Sequence, residues 1–118
     1  MNNIKFLQNF KNLKILVTGS TGFKGAWLCF WLNLLGAKVI GIGLKPEKGA
    51  NVLNKLLIEK KIKQYILDIR NIDYLDRVIK KEKPDAIIHL AAQSIVSYSF
   101  YNPLETFTTN IIGSANIL

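Results

Sequence analysis

The run Ile15-Leu16-Val17-Thr18 passes directly into Gly19-Ser20-Thr21-Gly22-Phe23-Lys24-Gly25, and no other stretch of the chain restricts its fold as far. A β-branched apolar run reads as a buried strand, and the apolar residues after Gly25 recur at helical spacing, so the glycines fall in a tight strand-to-helix turn. In such a turn Gly19 allows the sharp bend, Gly22 lets backbone approach a pyrophosphate, and Gly25 lets the helix lie against the sheet. Unpaired N–H groups at the helix start then face the anion. The spacing Gly-x-x-Gly-x-x-Gly departs from the commonest dinucleotide fingerprint, Gly-x-Gly-x-x-Gly, while keeping these three roles. A triphosphate-binding P-loop is disfavoured, because Lys24 precedes Gly25 instead of following it.

Beyond this turn the chain alternates strand-like and helix-like segments, the pattern of a parallel α/β sheet. Strands are expected at residues 13–17, 37–42, 64–67 and 86–90. The first helix carries Phe23, Ala26, Trp27, Phe30, Trp31, Leu34 and Leu35 at three- and four-residue spacing, and Gly36 ends it. Its aromatics are expected mostly in the core. A loop follows at residues 43–49 and a helix near residues 52–60. Asn71 caps a helix bearing Ile72, Leu75, Val78 and Ile79, which must stop by Pro84. Residues 93–97 read as a loop. Pro103 starts a last helix with Leu104, Phe107, Ile111 and Leu118 on one side. Right-handed crossovers order the strands 3-2-1-4, a Rossmann-like doubly wound sheet that is half built and leaves the fourth strand at an apolar edge.

With 118 residues, 49% of them hydrophobic and 20% charged, the chain is at most one globular domain. The net charge of +8 invites a nucleic-acid reading. The lysines are too scattered to support one: the densest groups, Lys60-Lys61-Ile62-Lys63 and Lys80-Lys81-Glu82-Lys83, read as solvated helix ends. Cys29, the single cysteine, lies in an apolar helical run and reads as a small core residue, in keeping with a cytoplasmic location. Residues 1–14 have neither a continuous apolar region nor a small-residue cleavage pattern, so no signal peptide is expected. No stretch has the length and apolarity of a membrane span, and no metal site is expected.

In a sheet of this kind ligands lie across the carboxyl ends of the strands. After the second strand, where an acid commonly holds the adenosine ribose, stand Gly41-Ile42-Gly43-Leu44-Lys45. Lys45 suits the 2′-phosphate of NADP, while Glu47 offers a carboxylate from the loop. Asp68, after the third strand, is open to a helix-capping role. His89 reads as structural, ending a buried strand.

Thr18-Gly19-x-x-Gly22-Phe23-x-Gly25 resembles the nucleotide-sugar branch of the extended short-chain dehydrogenases/reductases, the NAD-dependent epimerases and dehydratases. Phe23-Lys24-Gly25-Ala26-Trp27 resembles the CDP-glucose 4,6-dehydratases in particular. The resemblance continues through Asp68-Ile69-Arg70, His89-Leu90-Ala91-Ala92-Gln93, Asn102-Pro103-Leu104-Glu105-Thr106 and Thr109-Asn110-Ile111-Ile112-Gly113. It implies NAD as cofactor, held by Gly19, Thr21, Gly22, Phe23, Lys24 and Gly25. It places adenine at Asp68 and Ile69, the nicotinamide-side ribose and phosphates along Leu90, Ala91, Ala92 and Gln93, and a further contact at Thr109, with Asn110 near the cofactor. Ser94 stands where the family has a proline.

The family is longer than this chain, so residues 1–118 are expected to be the amino-terminal part of its NAD-binding domain, without the catalytic Tyr/Lys segment and substrate domain. The family's catalysis uses a tyrosine with a lysine four residues on. Tyr65, Tyr74, Tyr98 and Tyr101 are followed at that distance by Ile69, Val78, Asn102 and Glu105, so no catalytic residue is assigned and the chain alone is expected to be inactive. By resemblance the complete protein is a lyase that oxidises CDP-glucose at C4 with bound NAD, eliminates water across C5 and C6, and returns the hydride to C6. The product is CDP-4-dehydro-6-deoxyglucose, a deoxysugar precursor for O-antigen or lipopolysaccharide. A homodimer or higher homo-oligomer is expected, without nucleic acid or membrane partners. Two other readings remain open: another NAD-dependent nucleotide-sugar epimerase or dehydratase, and a non-catalytic NAD-binding module.

Overall fold

The computed structural model describes residues 9–46, 55, 60 and 62–118. The expected helix at residues 52–60, except Lys55 and Lys60, and Glu47 lie outside them. Strands β1 (Lys14–Thr18), β2 (Lys38–Gly43), β3 (Lys63–Ile66) and β4 (Ala86–His89) form one parallel sheet in the order β3-β2-β1-β4. This is the order expected from the crossovers, and each strand lies within about one residue of its expected place. In register, Thr18 at the end of β1 stands opposite Ile42 of β2 and His89 of β4.

Successive residues of a strand point to opposite faces, and β1 supplies both cores in this way. Ile15 and Val17 pack with Ala26, Cys29, Leu32, Ala37 and Val39 on one face. Leu16 packs with Ile40, Ile42, Leu67, Ile69, Leu75 and Val78 on the other. Apolar layers on both faces are what a doubly wound parallel sheet requires. Burial pushes the Cys29 thiol up to about 12, so it packs as a small apolar group and does not ionise near neutral pH.

Helix α1 (Phe23–Leu34) corrects one expectation. Its buried residues are Gly25, Ala26, Cys29 and Leu32, whereas Phe23, Trp27 and Trp31 are 75%, 47% and 57% exposed. The small residues recur at the same three- and four-residue spacing as the aromatics, and only they permit the close approach of helix to sheet. The bulky rings are left on the outer side, where Trp27 and Phe30 meet edge to face. Gly36 ends the helix in the left-handed region, at φ 85°.

Helix α2 (Ile72–Glu82) starts as expected on Asn71, whose side chain accepts from the Tyr74 N–H at 3.1 Å, and ends at Lys83, which adopts φ 47°. Buried Glu82 receives Lys63 Nζ at 2.5 Å and the Tyr65 hydroxyl, tying the end of α2 to β3. These two hydrogen bonds hold the Glu82 carboxyl below its ordinary range.

After β4, residues 96 and 97 belong to helix α3 (Val96–Tyr101) and not to the expected loop. Gln93 ends the extended segment by bonding ahead: its Oε1 accepts from the Ile95 N–H at 2.5 Å, and α3 begins one residue later. Pro103 opens α4 (Pro103–Phe107), which continues through a π-helical turn, Thr108–Ile112, into α5 (Gly113–Ile117). Leu104, Phe107, Ile111 and Leu118 are all exposed, as expected of an uncovered side. Gly113 is where this helix approaches the segment after β3, since a Cβ there would stand 2.5 Å from Ile69 Cδ1.

Candidate functional site

The carboxyl ends of the strands are joined into one surface. Gly19 adopts φ +73°, a left-handed turn that favours glycine, and a Cβ on it would stand 2.9 Å from Ala91 N and Leu90 C. The turn after β1 and the segment after β4 are therefore in contact. A Cβ on Gly25 would fall 1.9 Å from the Gly19 carbonyl oxygen, closer than any side chain can stand. Gly22 is exposed on the open side of the loop and its N–H donates to Gly19 O at 3.0 Å.

Helix α1 begins immediately after Gly22, with no side-chain cap and no acidic residue in its first turn. Its first intrahelical bond runs from Ala26 N to Gly22 O. The helix start thus keeps its partial positive charge without an internal counter-charge, which suits an anion. Gly19 and Gly25 give the physical test of fit for a dinucleotide: side chains would close this cradle, and the glycines leave it open to backbone approach.

The second strand end is latched to the same loop. Thr21 Oγ1 donates to Leu44 O at 2.8 Å, and Ser20 N donates to Ile42 O at 3.1 Å. Lys45 is exposed next to this latch. At the third strand end, Arg70 engages Asp68 as a fork, with Nη2 2.6 Å from Oδ2 and Nε 3.0 Å from Oδ1. The Arg70 side chain, helped by its own N–H at 2.9 Å, holds the Asp68 carboxyl below its ordinary value. Asp68 does not cap α2 with its side chain; Asn71 does. Ile69 is buried against Gly113, and its carbonyl accepts from Asn116 Nδ2 at 3.0 Å.

Past β4, Leu90 and Ala92 are exposed, and Ala91 and Gln93 are half-buried. Thr18 Oγ1 accepts the N–H groups of Leu90 and Ala91, each at 3.1 Å. Asn110 clasps Gln93 from the π-helical turn: Oδ1 accepts Gln93 N at 2.7 Å and Nδ2 donates to Gln93 O at 2.9 Å. Thr109 lies half-buried on that turn beside Asn110. The extra residue of a π turn changes which side chains face inward, and such turns recur at functional sites. The structure thus joins Gly19 to Leu90 and Ala91, and Gln93 to Asn110, and staples Ile69 to α5. The gripping role of Thr18 was not legible, because its partners lie 72 and 73 residues away; a hydroxyl ending the central strand was the one available signal.

His89 is held at both ring nitrogens, Nδ1 2.6 Å from Thr18 Oγ1 and Nε2 2.9 Å from Ser114 Oγ. Burial pushes its titration down. Among the described residues no group of His, Cys, Asp and Glu is placed to hold a metal ion, and no helix is long and apolar enough to cross a membrane.

Residues 16–118 match the GDP-mannose 4,6-dehydratase family. The chain is 36% identical over 105 residues to the CDP-glucose 4,6-dehydratase of Salmonella typhimurium, covering 89% of this chain and 29% of that protein. It is 32% identical over 103 residues to the UDP-glucose 4-epimerase of Neisseria meningitidis, covering 86% of this chain and 30% of the relative. Among solved structures, the epimerase Mth375 of Methanothermobacter thermautotrophicus superposes with a TM-score of 0.80 at 26% identity, over 99% of this chain and 34% of that one. The UDP-glucose 4-epimerase of Thermus thermophilus in complex with NAD gives 0.75 at 28% identity, over 88% and 32%. The chain spans about a third of the length of these proteins. It belongs to the GDP-mannose 4,6-dehydratase family, whose relatives include both dehydratases and epimerases of nucleotide sugars.

Proposed function

We propose that this member of the family is the NAD-binding portion of a nucleotide-sugar 4,6-dehydratase acting on CDP-glucose. The observation that carries the NAD-binding part of this reading is the cradle itself: Gly19 in a left-handed turn against Ala91, and Gly25 against the Gly19 carbonyl, at the uncapped start of α1. The pyrophosphate would lie at Gly22, Phe23, Lys24 and Gly25, with Thr21 holding the loop to Leu44. Adenine would lie at Asp68 and Ile69, and the nicotinamide half along Leu90, Ala91, Ala92 and Gln93, with Thr109 behind them. Bound there, NAD supplies the hydride acceptor and donor for chemistry at the sugar. This chain's own residues bind and orient it, while proton transfer and sugar recognition fall to the remainder of a complete protein. Residues 1–118 are accordingly read as the first part of the NAD-binding domain of a cytoplasmic, self-associating enzyme.

The match to CDP-glucose 4,6-dehydratase and the Phe23-Lys24-Gly25 sequence favour CDP-glucose. The second reading, a nucleotide-sugar epimerase, draws on the equally extensive match to UDP-glucose 4-epimerases. Incubating the complete protein with CDP-glucose and NAD tests the first: a 4-keto-6-deoxy product supports it, and a product epimerised at C4 without loss of water replaces it with the second. NAD is expected to outcompete NADP in the same preparation despite Lys45; a tenfold preference for NADP would overturn the choice of cofactor.

A further inference from the structure

The hydrogen bonds around His89 fix its tautomer. Thr18 Oγ1 accepts the N–H of Ala91 and the N–H of Leu90, the latter shared with the Thr18 carbonyl at 3.2 Å, so both acceptor positions of the hydroxyl are in use and its hydrogen is the one left to donate to His89 Nδ1. On the other side Ser114 Oγ donates to Asn110 O at 2.6 Å, so it accepts at the ring and His89 carries its proton on Nε2. One neutral tautomer satisfies both neighbours. The protonated ring does not, since a hydrogen on Nδ1 would meet a Thr18 oxygen whose acceptor positions are filled.

The two ends of this relay hold the two ends of one segment. Thr18 grips Leu90 and Ala91, and Asn110, bonded through its carbonyl to Ser114, grips the backbone N–H and carbonyl of Gln93. We propose that His89 is a positioning residue: as its Nε2–H tautomer it locks Thr18 and Ser114 and thereby sets residues 90–93 in the conformation that receives the cofactor. The proposal rests on the NAD reading above for what the segment receives, but not for how the segment is held.

The ring's hydrogen-bonding neighbours are uncharged from both sides, Thr18 of β1 and Ser114 of α5, with Asn110 behind the latter. Its titration is moved by burial and not by a neighbouring charge. Burial lowers it from 6.5, so the sign follows directly. The neutral relay is intact above that value, its contribution declines as pH falls below it, and it is lost as pH passes the lower native value.

Two readouts on the same protein test this, one with NAD and one without. In the cofactor-free protein, nitrogen-detected NMR of the imidazole should show the Nε2–H tautomer. Amide exchange at Leu90, Ala91 and Gln93, corrected for its intrinsic pH dependence, should show protection held down to about pH 6.5 and lost progressively as pH falls below it. NAD affinity should fall about tenfold over the same range. His89→Asn, which offers Thr18 an acceptor that does not titrate, should flatten both profiles, whereas His89→Leu should lower protection at every pH, most at Ala91, whose N–H has Thr18 Oγ1 as its partner, and least at Leu90, which also donates to the Thr18 carbonyl. An Nδ1–H tautomer, or a wild-type profile that persists in His89→Asn, would overturn the positioning role. Amides that follow His89 while NAD affinity does not would uphold the relay and overturn the assignment of residues 90–93 to the cofactor.

Discussion

The turn after β1 and the segment after β4 lie against each other, yet they are held by opposite means. In the first, steric exclusion fixes the glycine positions, Gly25 against the Gly19 carbonyl and Gly19 against Leu90 and Ala91, and the hydrogen bonds of Thr21 and Ser20 to Leu44 and Ile42 only latch the loop around them. In the second, exposed apolar residues surround a backbone held by side-chain hydrogen bonds from Thr18 and Asn110, 72 or 73 and 17 residues away. Such a turn tolerates almost no substitution at its glycines. The clasped segment should instead lose its geometry in steps, one bond at a time.

The largest effect is therefore expected at Gly25. Gly25→Val places atoms inside the contact with Gly19 O, so the loop must open and NAD binding should be lost altogether, with thermal stability reduced by at least the about 1–3 kcal/mol typical of overpacking. Calorimetric titration alongside a melting curve reads both; unchanged NAD affinity would show that the turn is not a cradle. Asn110→Ala comes next. It leaves the Gln93 N–H and carbonyl without their partners and should cost about 1–3 kcal/mol of stability, measured by denaturant unfolding, with a smaller loss of NAD affinity than Gly25→Val. If Asn110→Ala matched the Gly25 variant in NAD affinity, the two regions would not differ as described.

Asp68→Ala should weaken NAD by about 1 kcal/mol, the scale of one hydrogen bond, read by the same titration. An unchanged affinity would leave Asp68 as the partner of Arg70 alone. The smallest effect on stability is expected on the exposed face: Leu104→Ser with Phe107→Ser should change unfolding by within about 0.5 kcal/mol, because little burial is lost. The same pair should reduce self-association in sedimentation, since contiguous exposed apolar surface favours it.

The contrast also explains what could be read from the sequence. The glycine turn, the Asn71 cap and the glycine end of α1 at Gly36 rest on local patterns, and strand order follows from them by the handedness of crossovers, so these were legible. The outward aromatics of α1 were not: Gly25, Ala26, Cys29 and Leu32 share their helical period, and hydrophobicity alone favours the larger side chains, whereas close packing on the sheet selects the smaller. Helix α3 was hidden because residues 93–97 begin with polar side chains, and Gln93 spends them on its own neighbours. The Thr18–His89–Ser114 relay depends on the register between β1 and β4, which no local window contains.

In the proposed function the glycine turn, the end of β3 and residues 90–93 form one dinucleotide site. Mapping amide chemical shifts during titration with NAD tests it most directly. The account predicts saturable shifts grouped at Gly22, Phe23, Lys24 and Gly25, at Ile69, and at Ala91, Ala92 and Gln93. Shifts confined to the opposite end of the sheet, around Lys14, Lys38 and Lys63, or no saturable shifts at all, would contradict it.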